Sequence, residues 1–242
     1  MSESPVEKFS DKEMTITEHL EELRWRMLKS IVAVMFGTIA VWGWSAEMLS
    51  FLARPVGNLV FVAPTEAFFT RVKVAVFGGA MLALPIVLYQ VWAFTACAMS
   101  DSLRRAAALI VPFSYVFFLA GAALSIFMVT PSAIHFLIAY GSSEVAPMLT
   151  VGNYVEFVTS LALAFGTVFQ LPILLIFLQR AGLVKRTVLA SKRRYIYFVS
   201  FIAAALLTPP DVISQLALGF PIVLLFEASL FVMRWTPDEP PS

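Results

Sequence analysis

Charged residues crowd into one short stretch, EHLEELRWR at residues 18–26, just ahead of the first long apolar run. Glu18, Glu21 and Glu22 stand there with Arg24 and Arg26. What these residue types can do is pair charges. On a 3.6-residue helix, Glu18, Glu22, Arg26 and Lys29 share a polar face, while Ile16, Leu20, Leu23 and Met27 form an apolar stripe that would seat the helix on its neighbours. Arg24 lies elsewhere on the helix, within i,i+3 reach of Glu21, and Thr15 or Thr17 can cap the helix start. A solvated amphipathic helix with local Glu–Arg pairs accounts for the pattern, each pair contributing about 0.2–0.5 kcal/mol.

Other reactive types are sparse and scattered. The two histidines, His19 and His135, have no second histidine at metal-ligand spacing, so no metal is expected. Both lie outside the expected spans, which argues against an intramembrane serine protease. No Walker-type glycine–lysine loop occurs, so no nucleotide or other cofactor is expected. A lone Cys97 excludes an intrachain disulfide. No catalytic residue is assigned and an enzyme is not expected. What remains is a binding or transport scaffold, with lipid rather than nucleic acid around it.

Three polar side chains sit within apolar runs. Gln170 lies in FGTVFQLPIL, where its amide could bond carbonyls freed by Pro172 or meet a partner inside the membrane; Gln215 reads the same way. Glu227 lies near the end of the last apolar run, close enough to Arg234 to stay wet. Glu156 reads as a helix-start carboxylate favoured by the dipole.

The elements that must position these residues are membrane helices. Charged residues make up only 14% of the 242, and the mean hydropathy is +0.84. A soluble domain carries about 25% charged residues, so this surface needs a solvent other than water. Spans of about 20 apolar residues are required to cross a bilayer. Six are read: Met27–Ala46, Phe68–Met99, Ala106–Thr130, Tyr154–Leu178, Tyr195–Thr208 and Val212–Met233. The fifth is short, at roughly 21 Å against a hydrocarbon core of ~30 Å. TPPD at 208–211 turns it tightly into the sixth, giving a short final hairpin. The outer loops at 47–66 and 131–153 read as short interfacial helices.

Prolines inside four spans, Pro85, Pro112, Pro172 and Pro221, favour kinks and a concave bundle. Of the 17 Lys and Arg residues, only Arg54, Arg71 and Lys73 fall on one side of this arrangement, which places both termini in the cytoplasm. The N-terminal stretch is too acidic for a cleaved secretory signal. The expected organisation is a cytoplasmic segment 1–26, a membrane domain 27–234 and a cytoplasmic tail 235–242. The fold class is all-α and polytopic.

At several points the chain resembles the core subunit of the twin-arginine translocase, the TatC family. HLEELRWR (19–26), PIVLYQVWAF (85–94), FGTVFQLP (165–172), LLTPPDVISQ (206–215) and LFE (225–227) carry the resemblance across nearly the whole length. It implies a glove-like bundle of six helices in the cytoplasmic (inner) membrane. It implies a receptor for signal peptides bearing consecutive arginines, exporting folded proteins with the proton motive force. It implies small single-span TatA- and TatB-type partners and a homo-oligomer within the complex.

The implied signal-peptide residues are Glu22, Arg24 and Phe94. A carboxylate suits an arginine pair, because it accepts a guanidinium bidentately as it cannot accept lysine. A second glutamate of the family falls here on Leu103, with Asp101 two residues away as its candidate substitute; Cys97 stands where the family usually has proline. Gln170 and Gln215 match partner-contact positions, and Pro55 and Asp211 match outer-loop positions. The alternative function is a small-molecule permease or the membrane half of a transporter, for which a clear inverted repeat would be expected.

Overall fold

The computed structural model describes residues 16–57, 59–97, 101–139, 148–208 and 212–235, with the backbone alone at 16, 96, 97, 101–109 and 207. These residues are almost entirely helical. Helix α1 (Ile16–Val41) carries the charged stretch into the first apolar run. A 3-10 turn at Trp42–Trp44 joins it to α2 (Ser45–Ala53). Pro55 follows in the turn that ends α2. Gly57, at φ +78°, donates its N–H back to the Ala53 carbonyl, a left-handed position suited to glycine.

The central helices are α3 (Pro64–Cys97) and α4 (Asp101–Leu124). A π-turn, Ser125–Val129, leads from α4 into α5 (Thr130–Ile138). The next span is broken in two: α6 (Val151–Val168) stops at Phe169–Gln170, and α7 (Leu171–Arg180) resumes with Pro172 in its first turn. Pro172 therefore does not kink a helix interior as expected. It occupies a helix start, where its missing N–H has no partner to lose. Pro85, Pro112 and Pro221 do lie inside α3, α4 and the last helix. Short α8 (Arg186–Ser191) precedes α9 (Arg193–Leu207) and α10 (Val212–Val232).

Five segments among the described residues are long and apolar enough to cross a membrane. They are Thr17–Ala53, Pro64–Thr95, Ile110–Ile138, Val151–Arg180 and Val212–Val232. The expected fifth span, α9, falls below that length at 15 residues. It extends only ~22 Å at 1.5 Å per residue. Asp211, the turn aspartate expected between α9 and α10, lies outside the described residues.

Packing runs in a series. α3, α4 and α6 pack on one another, α10 packs on α7 and α9, and α1 leans on α3. Helix α1 is peripheral: only 6% of its most apolar stretch is buried. Its hold on α3 is a close crossing of two glycines. A Cβ on Gly37 would lie 2.4 Å from the Gly79 carbonyl oxygen, and one on Gly79 would lie 2.3 Å from the Thr38 nitrogen. Small residues at such a crossing let two membrane helices approach closely.

The end of the bundle away from Ile16 is tied by polar contacts. Val60 and Thr150 form a parallel bridge, with Val60 N–H donating to Leu149 at 3.1 Å and Val151 N–H to Val60 at 2.9 Å. The Glu66 carboxylate accepts the N–H groups of Val62 (2.9 Å) and Gly152 (2.8 Å). Tyr154 donates its hydroxyl to the Leu52 carbonyl at 2.5 Å. Glu156 is not in the first turn of α6; it pairs with Lys73 at 2.6 Å instead. The helix start is capped by the Thr150 side chain, which accepts from Asn153 N–H.

Candidate functional site

At the opposite end, α1 and the last turns of α3 build a polar contact. Helix periodicity places His19, Glu22 and Arg26 on one face of α1, and the antiparallel crossing brings that face to Gln90 and Phe94 of α3. Arg26 donates through Nε (2.9 Å) and Nη2 (2.5 Å) to the same Glu22 oxygen, Oε1. Its Nη1 donates to Gln90 Oε1 at 3.2 Å. The His19 ring stacks on Phe94 with centroids 4.4 Å apart and planes inclined by 21°. The Arg26 and Glu22 side chains are only 16% and 20% exposed. This pair is thus much better shielded from water than an ordinary surface ion pair, and its geometry is held from two helices.

This arrangement corrects the sequence reading of α1. The apolar stripe does not seat the helix on the bundle: Leu20 is 58% exposed and Met27 55% exposed. Glu22 and Arg26 turn inward instead, while Glu18 and Lys29 of the same polar face stay exposed. Inside a bilayer, lipid is as good a partner for leucine as protein is, so apolarity does not mark the inner face.

The remaining expected residues fall in several places. Arg24 is exposed, half a turn around the helix from Glu22 and Arg26, and forms no hydrogen bond or ion pair among the described residues. Asp101 opens α4, but its side chain, like that of Leu103, lies outside the described residues. Gln170 sits at the break between α6 and α7. Its amide donates to the Ser114 carbonyl on α4 at 2.8 Å, not to a carbonyl freed by Pro172, and its Oε1 is buried without a partner among the described residues. Ser114 Oγ in turn accepts from Trp92 Nε1 on α3 at 2.8 Å. Gln215 donates to the Phe201 carbonyl at 3.4 Å, linking α10 to α9. Pro55 lies at the other end of the bundle, in the turn after α2. The site residues therefore do not converge. Glu22 and Phe94 share one site, whereas Gln170, Gln215 and Pro55 each stand apart from it.

The Glu22–Arg26 contact is one of the local Glu–Arg pairs that the i,i+4 spacing offered. Two contributors were missed from sequence: Gln90 as an anchor of Arg26, and His19 as a partner of Phe94. Gln90 and His19 required the crossing of α1 and α3, which periodicity does not reveal. A second charged contact was also missed. Arg193 at the start of α9 reaches Glu227 on α10 at 3.0 Å, and Tyr197 donates its hydroxyl to the same carboxylate. Glu227 is thus held by α9 rather than left to solvent.

Chemically, the α1–α3 contact offers a carboxylate for cations and an aromatic platform on which the His19 ring stacks. No group of three or more metal-ligating side chains occurs among the described residues. A family model described as Sec-independent protein translocase protein (TatC) matches residues 18–221. The chain is similar to the Sec-independent protein translocase protein TatC of Carboxydothermus hydrogenoformans, at 37% identity over 230 residues, covering 93% of this chain and 95% of that one. It is similar to the protein of the same description from Aquifex aeolicus, at 34% identity, covering 90% and 94% respectively. Among solved structures it resembles a crystal structure of the twin arginine translocase receptor TatC in DDM. The TM-score is 0.78 at 34% identity, over 89% of this chain and 99% of that one.

Proposed function

Because the chain belongs to the TatC family of Sec-independent protein translocase proteins, we propose that the α1–α3 contact is where it receives the arginine pair of a signal peptide. The chain is a multi-pass membrane protein and a translocase component, and its work is protein transport rather than small-molecule permeation. In the finer reading it is the signal-peptide receptor and core of the translocase, moving folded clients with the proton motive force. Glu22 accepts a guanidinium of the pair, Phe94 supplies an apolar face beside it, and Arg24 and Asp101 flank the site. Gln170 and Gln215 meet small single-span TatA- and TatB-type subunits within the membrane, and Pro55 and Asp211 shape the outer loops. More than one copy of the chain works in each complex.

The reading places the membrane domain at 27–234 in the cytoplasmic membrane. The segment 1–26 and the tail 235–242 both lie on the cytoplasmic side, the side rich in Lys and Arg. That puts Glu22 where an unexported client first arrives. The observation that carries the reading is the Glu22 carboxylate itself, held by Arg26 and largely shielded, one helical turn from the His19 ring that stacks on Phe94. A shielded carboxylate binds a cation more strongly than a solvated one. The test is export of a folded reporter carrying an arginine-pair signal. Glu22→Gln should lower export at least about tenfold, the effect of one lost charge-assisted hydrogen bond. Unchanged export at equal membrane levels of the protein would remove Glu22 from the site.

A further inference from the structure

Between Glu156 and Asp211 the sequence has six cations and no acidic residue: Arg180, Lys185, Arg186, Lys192, Arg193 and Arg194. Two of them are used inside the bundle. Arg186 donates through Nε to the Leu230 carbonyl at 3.1 Å, and Arg193 pairs with Glu227 at 3.0 Å. The neighbours of Arg193 on either side turn to an aromatic ring instead. Lys192 Nζ lies 5.5 Å from the centre of the Tyr195 ring, and Arg194 Cζ lies 4.9 Å from it. Arg194 also donates to the Tyr195 hydroxyl at 3.2 Å. All three side chains are exposed, and neither cation meets a carboxylate among the described residues. Two like charges gathered at one ring repel each other, and an anion between them would relieve that repulsion.

Tyr195 also heads an apolar stripe. Tyr195, Phe198, Val199, Ile202 and Leu206 recur at i, i+3, i+4, i+7 and i+11 along α9, and all five are exposed. From Tyr195 to Leu206 the stripe runs ~16 Å at 1.5 Å per residue. That is about half of a ~30 Å hydrocarbon core, the depth of one leaflet. A membrane-spanning partner helix would need roughly twice that length of contact. We infer that this face of α9 binds an anionic phospholipid of the leaflet at that end of the bundle, the cytoplasmic leaflet in the orientation proposed above. Lys192 and Arg194 hold the headgroup phosphate, the Tyr195 ring lies at headgroup level, and one acyl tail follows the stripe to Leu206. A zwitterionic head fits less well, because it brings its own ammonium to the two cations. The site shares no residue with the α1–α3 contact and stands or falls separately from the reading of Glu22.

The test uses the full chain in nanodiscs of phosphatidylcholine. Each disc also carries a trace of one photoreactive lipid, either phosphatidylglycerol or phosphatidylcholine, with the reactive group midway along a tail. Crosslinks are mapped by mass spectrometry. In the wild type, the yield between Phe198 and Leu206 should be about tenfold higher from phosphatidylglycerol than from phosphatidylcholine. The double variant Lys192→Gln, Arg194→Gln should abolish that preference. The double variant Arg180→Gln, Lys185→Gln removes as much charge from outside the Tyr195 cluster and should keep it. Equal yields from the two lipids in the wild type overturn the inference. So does a preference that survives without Lys192 and Arg194, or one lost equally in both double variants, since a diffuse positive field would then suffice. Exclusion of both lipids from α9 by a co-purified single-span protein assigns the face to a partner helix and overturns it too. Should the first double variant fail to accumulate, Arg194→Gln alone must lower the preference by a smaller factor; an unchanged preference there overturns the inference.

Discussion

At the scale of single residues, exposure decides which charges matter. The Glu22–Arg26 pair is 20% and 16% exposed, whereas the Arg193–Glu227 pair is 42% and 37% exposed. The second is closer to a surface ion pair, which is worth about 0–1 kcal/mol. Glu227→Gln should therefore cost little stability, on the order of 0.5 kcal/mol, read as a small shift in thermal unfolding of the purified protein; a loss of several kcal/mol would show that α9 depends on this contact. Phe94 is argued differently. Its ring is stacked on His19, and aromatic contacts of this kind contribute about 0.5–1.5 kcal/mol beyond burial. Phe94→Ala should weaken arginine-pair peptide binding about fivefold, equivalent to ~1 kcal/mol, while Phe94→Tyr retains it. Equal binding by wild type and Phe94→Ala would exclude the ring from the site. The assignments of Glu22 and Phe94 rest on the motifs that contain them. The hold of Arg26 was legible only as a spacing.

At the scale of elements, the sequence marked most helices and misjudged how one of them faces. The long spans were readable because apolar runs of sufficient length leave few alternatives in a bilayer. The orientation of α1 was not readable, because amphipathicity points inward only when water lies outside. The break at Phe169–Gln170 was foreshadowed by Pro172, but the proline was expected within a helix and stands at the start of one. The α1–α3 crossing was invisible in the sequence, since Gly37 and Gly79 lie far apart in it. A side chain at Gly79 would meet the backbone of Thr38, which cannot swing away as a flexible side chain could. Gly79→Leu should therefore destabilise the protein by about 1–3 kcal/mol through overpacking and shift α1 relative to Gln90 and Phe94. Both effects are measurable, as earlier thermal unfolding and as lost disulfide formation in a cysteine pair placed at residues 19 and 94. Wild-type unfolding and undiminished crosslinking would show that the crossing does not position the site.

At the scale of the molecule, the protein is a series of packed helices with α1 at one edge and α9 at the other. Among the described residues, the site at the start of α1 is built by α1 and the last turns of α3. The architecture was legible as an all-α membrane bundle; among the described residues five segments are long and apolar enough to span, and α9, expected as a short span, falls below that length. Gln170 and Gln215 stand apart from Glu22, as their places within the apolar runs led one to expect, and this divides the proposed work between the signal-peptide end and the membrane interior. The central claim is that an arginine pair docks at Glu22 between α1 and α3. The most direct measurement maps the crosslinks of an arginine-pair peptide, its photoreactive group beside the pair, by mass spectrometry of the full chain in membranes. The account predicts crosslinks within the first turns of α1 and the last turns of α3, around His19 and Phe94, lost in Glu22→Gln. Crosslinks confined to α9 and α10, or crosslinks at α1 that persist undiminished in Glu22→Gln, would contradict it.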